Sequence, residues 1–265
     1  DRRALDVALQ VAELCDPDDV VYLGDKLDLA DWSDKFIRSP EFYWTTQSAI
    51  VEGAWWMAQF RMITGRARHR AIAGNHEARL TNGIVTNLSA AYNLRSVDNI
   101  STPALSVRSL LGLDKIGVEY YDSADARVWL NDYICCIHGT VARSTPGGTV
   151  AAVIKTSDVT IVQGHAHRLE LVSKTVHRRD EHYVIHACCA GCLCRVDGTV
   201  PGSSPDTQWQ QGLVVVHYSE SHKTGIVLVP IVDGTAVWDG VVINGRDRLD
   251  EISSSSEWDW GERLG

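Results

Sequence analysis

Three short runs of apolar and β-branched residues in this chain each end in a glycine that a polar residue follows at once. Each run has the length and composition of a buried β-strand. A glycine at the end of a strand allows a tight exit, so the next side chain stands at the edge of the sheet. The repeated pattern predicts an α/β fold whose sheet edge carries several polar groups. The glycine–polar pairs are Gly24-Asp25, Gly74-Asn75 and Gly164-His165.

Similar apolar runs recur along the chain with helical or loop segments between them, as in layered α/β domains. The predicted strands are Asp19–Gly24, His69–Gly74, Gly117–Tyr121, Arg127–Leu130, Tyr133–His138, Asp158–Gly164, Leu169–Val176, His182–Cys188, Gly212–Tyr218, Gly225–Val232 and Ala236–Asn244. The predicted helices are Ala4–Cys15, Ser48–Ile63 and Glu77–Tyr92. Helices cluster in the first half and hairpins in the second. We therefore expect a four-layer α-β-β-α sandwich of two mixed β-sheets flanked by helices.

Composition sets limits on the class of protein. With 265 residues, of which 45% are hydrophobic, the chain can bury a large core as one domain, which we place at residues 1–252. The net charge of −9 disfavours a broad electrostatic grip on nucleic acid. Seven cysteines form an odd set, which argues against a secreted disulfide framework and favours the cytoplasm. No apolar run is long enough to span a bilayer, so we expect no membrane partner.

Four motifs occur in order: Gly24-Asp25-Lys26-Leu27-Asp28, Gly74-Asn75-His76-Glu77, an isolated His138, and Gly164-His165-Ala166-His167. Together they resemble the calcineurin-like metallophosphoesterase superfamily, which carries Gly-Asp-x-x-Asp, Gly-Asn-His-Asp/Glu, a lone His and Gly-His-x-His. The resemblance implies an enzyme in which two divalent ions activate a water molecule for attack on phosphorus. It is strongest toward phage and bacterial enzymes, including phosphodiesterases that act on nucleotides. For a phage enzyme the location would be the host cytoplasm.

The resemblance also implies the metal ligands. Asp25 would bridge both ions, Asn75, His138 and His165 would bind one ion, and His167 would bind the other. Oxygen and imidazole donors suit Mn²⁺, Fe, Zn²⁺ and Ni²⁺, and we expect manganese. The superfamily has a further Asp-x-His motif ahead of its first helix, and no such motif precedes Gly24. We expect a segment upstream of residue 1 to supply it.

Four further residues receive catalytic roles from the resemblance. His76 would donate a proton or hydrogen bond to the phosphate or to the leaving group, and either Glu77 or Asp28 would orient it. Arg79 completes a Gly-Asn-His-Glu-x-Arg pattern that is similar to protein Ser/Thr phosphatases, where the arginine grips the substrate phosphate. The alternative for Arg79 is a surface salt bridge.

The expected function is hydrolysis of phosphodiesters in nucleotides or in nucleic-acid-like substrates. A phosphomonoesterase or protein phosphatase is the alternative reaction. The alternative of another class is a non-catalytic metal-binding interaction module. The loops around the site would determine which substrate class is accepted, since loops determine specificity in such scaffolds.

Three segments leave two interpretations open. The Trp-rich helix Ser48–Ile63 is either a core helix or a surface for a partner, a lid or a homo-oligomer. The cluster Cys188–Cys194 is either a zinc site or a set of buried reduced thiols. An aromatic-rich insertion within residues 29–63 either stacks on a base or packs onto the core. The tail 253–265 is either a strap that lies along the domain or a disordered end. The aromatic residues of the insertion are Trp32, Phe42, Tyr43 and Trp44.

Overall fold

The computed structural model describes residues 1–33, 45–179, 181–200, 203–204, 207–221 and 223–255. Phe42, Tyr43 and Trp44 of the predicted insertion lie outside the described residues, and so does the tail from residue 256. The helices in the described ranges are α1 Arg2–Cys15, α2 Thr45–Ile63, α3 Glu77–Asn87, α4 Val107–Leu110, α5 Gly148–Thr156 and α6 Leu249–Ser254. The strands there are β1 Asp19–Tyr22, β2 Arg68–Ile72, β3 Val118–Tyr121, β4 Arg127–Asn131, β5 Ile134–Ile137, β6 Thr160–Gln163, β7 Leu169–Arg178, β8 Glu181–Ala190, β9 Gln211–Tyr218, β10 Thr224–Ile231, β11 Thr235–Trp238 and β12 Val241–Asn244. The chain is thus a mixed α/β protein with several sheets, as the sequence predicted.

Contacts divide the chain into two compact units. The first unit comprises Asp1–Leu14 and Asp125–Asp247. The second unit comprises Cys15–Ala124 and the segment that begins at Arg248. Among the described residues, no helix is both long enough and apolar enough to cross a membrane.

The second unit contains a parallel sheet in the order β1-β2-β3. Its core gathers aliphatic residues from α2, α3, α4 and β3, and Leu113 is completely buried there. Because β1 and β2 run parallel, their carboxyl ends lie at the same edge of the sheet. The segments that carry Asp25 and Asn75 leave the sheet at that edge.

The first unit contains a mixed sheet in the order β4-β5-β6-β8-β7. Strands β5, β6 and β8 are parallel, whereas β4 and β7 pair antiparallel at the two sides. Hairpins β9–β10 and β11–β12 belong to the same unit. His138 directly follows β5, and the Gly164–His167 segment follows β6, so the histidines leave one edge of this sheet.

Two predicted elements differ from the structure. The strand predicted over Ala236–Asn244 is a hairpin, because Asp239 and Gly240 have φ values of 48° and 78° and turn the chain back. Positive φ at both central residues is the geometry that Asp-Gly favours in two-residue hairpin turns. The helix predicted to reach Tyr92 ends at Asn87, because Leu88 leaves the helical region at φ −147° and ψ 54°.

The Trp-rich helix α2 is largely buried. Trp55, Trp56 and Met57 are each less than 5% exposed, and the Trp55 indole N–H donates to Ser255 Oγ at 2.9 Å. This burial favours the core interpretation of the helix over a partner surface. Trp32 from the start of the insertion also packs against the core cluster of the second unit.

The cysteines of the first unit are free thiols. Cys135, Cys136, Cys188 and Cys189 lie in β5 and β8 and are buried. Burial raises the pKa of the Cys188 thiol far above its usual value, so this residue stays protonated. A buried neutral thiol behaves as a small apolar side chain, which agrees with the second interpretation for Cys188 and Cys189, whereas Cys192 and Cys194 are half-buried.

Candidate functional site

The loop after β1 presents Asp25 in a constrained conformation. Gly24 has a φ of 99° and Asp25 a φ of 51°, so two successive residues lie in the region that L-amino acids rarely adopt. Gly74, after β2, lies against this loop so closely that a Cβ there would collide with the carboxylate and backbone nitrogen of Asp25. The two glycines therefore allow the loops after β1 and β2 to approach each other.

The carboxylate of Glu77 ties these loops together. Its oxygens accept hydrogen bonds from the backbone N–H groups of Gly74 at 2.6 Å, Asp25 at 2.9 Å, Lys26 at 2.7 Å and Leu27 at 3.2 Å. The Lys26 ammonium lies 3.5 Å from Glu77 Oε1. Burial raises the pKa of Glu77, but Lys26 and the N–H donors outweigh burial and hold the pKa below its ordinary value. Glu77 is thus a buried anion that orders the loop carrying Asp25.

His76 lies between two carboxylates. Its backbone N–H donates to Asp25 Oδ1 at 2.9 Å, its ring Nδ1 is 3.0 Å from Asp28 Oδ1, and its Nε2 is 3.8 Å from Asp25 Oδ2. Arg79 donates from Nη1 to the carbonyl of Asp28 at 2.7 Å and to its carboxylate at 3.3 Å. Of the two residues predicted to orient His76, Asp28 makes the contact. Asn75 is exposed beside this group.

The first unit brings two predicted ligands together. His138 is only 1% exposed at the end of β5, and its Nε2 lies 3.2 Å from Nδ1 of His165. The two rings meet nearly edge to face, at an interplanar angle of 75°. His165 and His167 have φ values of 61° and 54°, so the segment after β6 is constrained much as the segment after β1 is.

The distance between the two imidazoles fits binding of one metal ion. Metal–nitrogen bonds of about 2.0–2.1 Å at angles of about 90–110° place two ligand nitrogens about 2.8–3.4 Å apart. The observed 3.2 Å between His138 and His165 falls in this interval, and it equally suits a hydrogen bond between neutral rings. The His167 ring packs against Trp209 in the same unit, with the ring planes nearly perpendicular and the centroids 4.2 Å apart.

Comparison with protein-family models, curated proteins and solved structures finds no match to this chain. The assignment of a function therefore depends on the residues and their contacts. Asp25, Asp28, His76 and Arg79 form a connected polar group in the second unit. His138 and His165 form a pair in the first unit.

Several residues of these sites were not predicted from the sequence. Lys26 lies inside the first motif, but nothing in the motif shows that its ammonium is buried against Glu77. Trp209 contacts His167 from a segment that carries no motif. Arg168 directly follows the last motif and Glu170 lies near the start of β7; outside the two sites themselves, each has a buried polar atom without a hydrogen-bond partner among the described residues. The only sequence signal for them is a pair of opposite charges beside a motif.

Proposed function

We propose that this chain is a metal-dependent phosphoester hydrolase that acts on phosphodiesters of nucleotides or of nucleic-acid-like substrates. One observation carries the proposal: in each unit the predicted ligands follow parallel strands at the carboxyl edge of a sheet. In the first unit, the ring nitrogens of His138 and His165 lie 3.2 Å apart. The four-layer arrangement of two sheets with flanking helices, and manganese as the metal, are parts of the same proposal.

The proposed ligands are those that the resemblance implies: Asp25, Asn75, His138, His165 and His167. Divalent ions held by such ligands supply Lewis acidity and generate a nucleophile from water at neutral pH. The fit of oxygen and imidazole donors to such ions, together with the spacing of His138 and His165, supports this ligand set.

His76 is the proposed proton donor. Its Nδ1 faces the Asp28 carboxylate at 3.0 Å, so an Nδ1–H donated to Asp28 fixes the ring and leaves Nε2 to serve the departing oxygen. Arg79 contacts the same carboxylate and thereby restrains Asp28. A guanidinium at this position can also take a phosphate oxygen, which is the feature that favours a phosphomonoester as the second candidate substrate.

Hydrolysis of bis-p-nitrophenyl phosphate with added Mn²⁺ tests the proposal. We expect Asp25→Ala and Asn75→Ala to lose both bound metal and turnover. His76→Ala should keep its metal and lose about 10²–10⁴-fold in turnover, the usual contribution of a general acid. Asp28→Asn should lose about 10–100-fold, as expected for a residue that acts by orienting another.

His177→Ala, at an exposed position on β7, is the matched control and should retain wild-type activity. Wild-type turnover that survives Asp25→Ala would remove the proposed centre. Equal loss of metal from His76→Ala and Asp25→Ala would exclude the proton-donor role of His76. Metal binding with no turnover toward mono- or diesters would favour the interaction module.

A further inference from the structure

The first unit contains a cavity of about 490 Å³. Three segments border it: the turn before α5, the beginning of β7, and residues 208–210 ahead of β9. Its polar lining comes from Arg168, Glu170, Gln208, Trp209 and Gln210. A cavity of this size with a few converging polar groups has the character of a small-molecule site.

Glu170 offers this cavity an uncommitted acceptor. The residue is 8% exposed, and its Oε1 accepts from the Gly147 N–H at 2.7 Å. Its Oε2 is buried and has no hydrogen-bond partner in the described part of the chain. A buried carboxylate oxygen without a donor is unfavourable, so a donor from a ligand would be strongly accepted.

Arg168 offers a donor in the same way. Its Nη2 donates to the Ser144 carbonyl at 2.8 Å, which fixes the guanidinium on the turn before α5. Its Nη1 is buried, lacks a hydrogen-bond partner among the described residues, and lies 3.8 Å from Glu170 Oε1, which is beyond hydrogen-bond distance. Two neighbouring side chains thus each keep one group without a partner in the described part of the chain, a donor on Arg168 and an acceptor on Glu170.

Trp209 supplies an aromatic wall. The next residue, Gln210, anchors this segment: it donates its N–H to the His167 carbonyl at 2.8 Å, and its Oε1 accepts from the Leu169 N–H at 2.9 Å. The indole meets the His167 ring edge-on and borders the cavity. Aromatic faces of this kind stack on nucleobases.

We propose that this cavity binds a guanine base. Guanine presents a carbonyl acceptor, O6, next to N–H donors, which matches the Arg168 donor and the Glu170 acceptor, and Arg is the residue that pairs best with O6. Adenine would place an amino group opposite the guanidinium, donor against donor. Binding of guanine does not depend on the proposed hydrolase function. Only the idea that this guanine is part of the hydrolase substrate rests on that function.

Calorimetric titration of the full chain with guanosine, in EDTA, tests the proposal. Guanosine should bind at least tenfold more tightly than adenosine or cytidine. Glu170→Gln should weaken guanosine binding at least tenfold, whereas Glu220→Gln, the same change at an exposed site between β9 and β10, should bind as the wild type does. Glu220→Gln should keep the wild-type melting temperature, and the circular dichroism spectrum of Glu170→Gln at the titration temperature should show that this variant is folded.

If Glu170→Gln does not fold, the variants Trp209→Phe and Trp209→Leu take its place in the test. Trp209→Phe keeps a flat ring and should still bind guanosine, whereas Trp209→Leu should lose guanosine binding. Equal affinity for guanosine and adenosine, unchanged binding in Glu170→Gln, or no binding at all would each overturn the proposal. Guanosine carries no phosphate and EDTA removes metal, so failure of the hydrolase does not affect this result. Turnover without guanosine binding would overturn the guanine site alone.

Discussion

Replacing Glu77 by glutamine should strongly destabilise the second unit. The change keeps the shape of the side chain but removes its charge, in a residue that is 2% exposed. The four N–H groups of the loops after β1 and β2 then share one amide oxygen, and the amide NH₂ faces the donors that lose their acceptor. Each buried donor left without an acceptor costs about 1–3 kcal/mol. Breaking a buried ion pair costs about 3–5 kcal/mol by itself, so with the unpaired donors we expect a total loss of at least about 3–5 kcal/mol.

Urea unfolding followed by circular dichroism measures this loss. Glu13→Gln, the same substitution at an exposed position of α1, should stay within about 0.5 kcal/mol of the wild type. Lys26 keeps its bond to the Ile72 carbonyl at 2.7 Å but loses its counter-ion in the variant. Adding Lys26→Met to Glu77→Gln should therefore recover about 1–2 kcal/mol, seen as coupling in a double-mutant cycle.

Metal binding supplies a second readout for Glu77→Gln. Since the Glu77 carboxylate positions the loop that carries Asp25, equilibrium dialysis should show weaker Mn²⁺ binding by the variant at a temperature where it remains folded. A stability loss below about 1 kcal/mol, against the 3–5 kcal/mol expected from a buried charged network, would refute the reasoning. Additive effects of the two substitutions would show that Lys26 and Glu77 do not act as a pair.

Two further predictions concern the same unit. Burial, and next the charge of Arg61, lower the pKa of His69 from 6.5 to about 4, so the unfolded chain binds more protons than the folded chain between these values. The stability from this group is present above pH 6.5 and is lost as the pH falls toward 4, and at pH 5 the loss is about 2 kcal/mol. Urea midpoints at pH 7.5 and pH 5 measure this loss. It should disappear in His69→Gln and persist in the control His177→Gln. Parallel wild-type and His69→Gln profiles would contradict this. Gly74→Ala should lose about 1–3 kcal/mol or more by overpacking, whereas Gly65→Ala, whose added Cβ would have its nearest neighbours at 3.9 Å, should unfold near the wild-type midpoint.

The sequence predicted the strands well because each is a short β-branched run bounded by turn residues. The missed elements are those with weak local signals. Helix α4 spans four residues, too few for an amphipathic period to be visible. The order of the strands in the five-stranded sheet depends on pairing between distant segments, such as β6 with β8, which no local pattern specifies.

The candidate site shows where motif reasoning stops. Glu77 follows His76 directly, which made it a natural partner for the imidazole. Consecutive residues at the start of a helix, however, point about 100° apart, so Glu77 turns to the loop after β1 while Asp28 reaches His76. The pairing of Arg168 and Glu170 with the turn before α5 likewise depends on contacts between segments more than 20 residues apart, which the sequence does not display.

Backbone strain recurs at the proposed ligand positions. Asp and His adopt positive φ more readily than most residues, so one such residue after a strand could merely mark a turn. Here Asp25, His165 and His167 all have φ between 51° and 61°, in two loops that different sheets support. Strained residues persist where the surroundings over-determine them, and such sites cluster where function requires a fixed side-chain direction. The Glu77 network provides that restraint for Asp25, and the bond from the Gln210 N–H provides it for His167. Two separately built restraints thus act on side chains of metal-binding type, as the proposed ligand set requires.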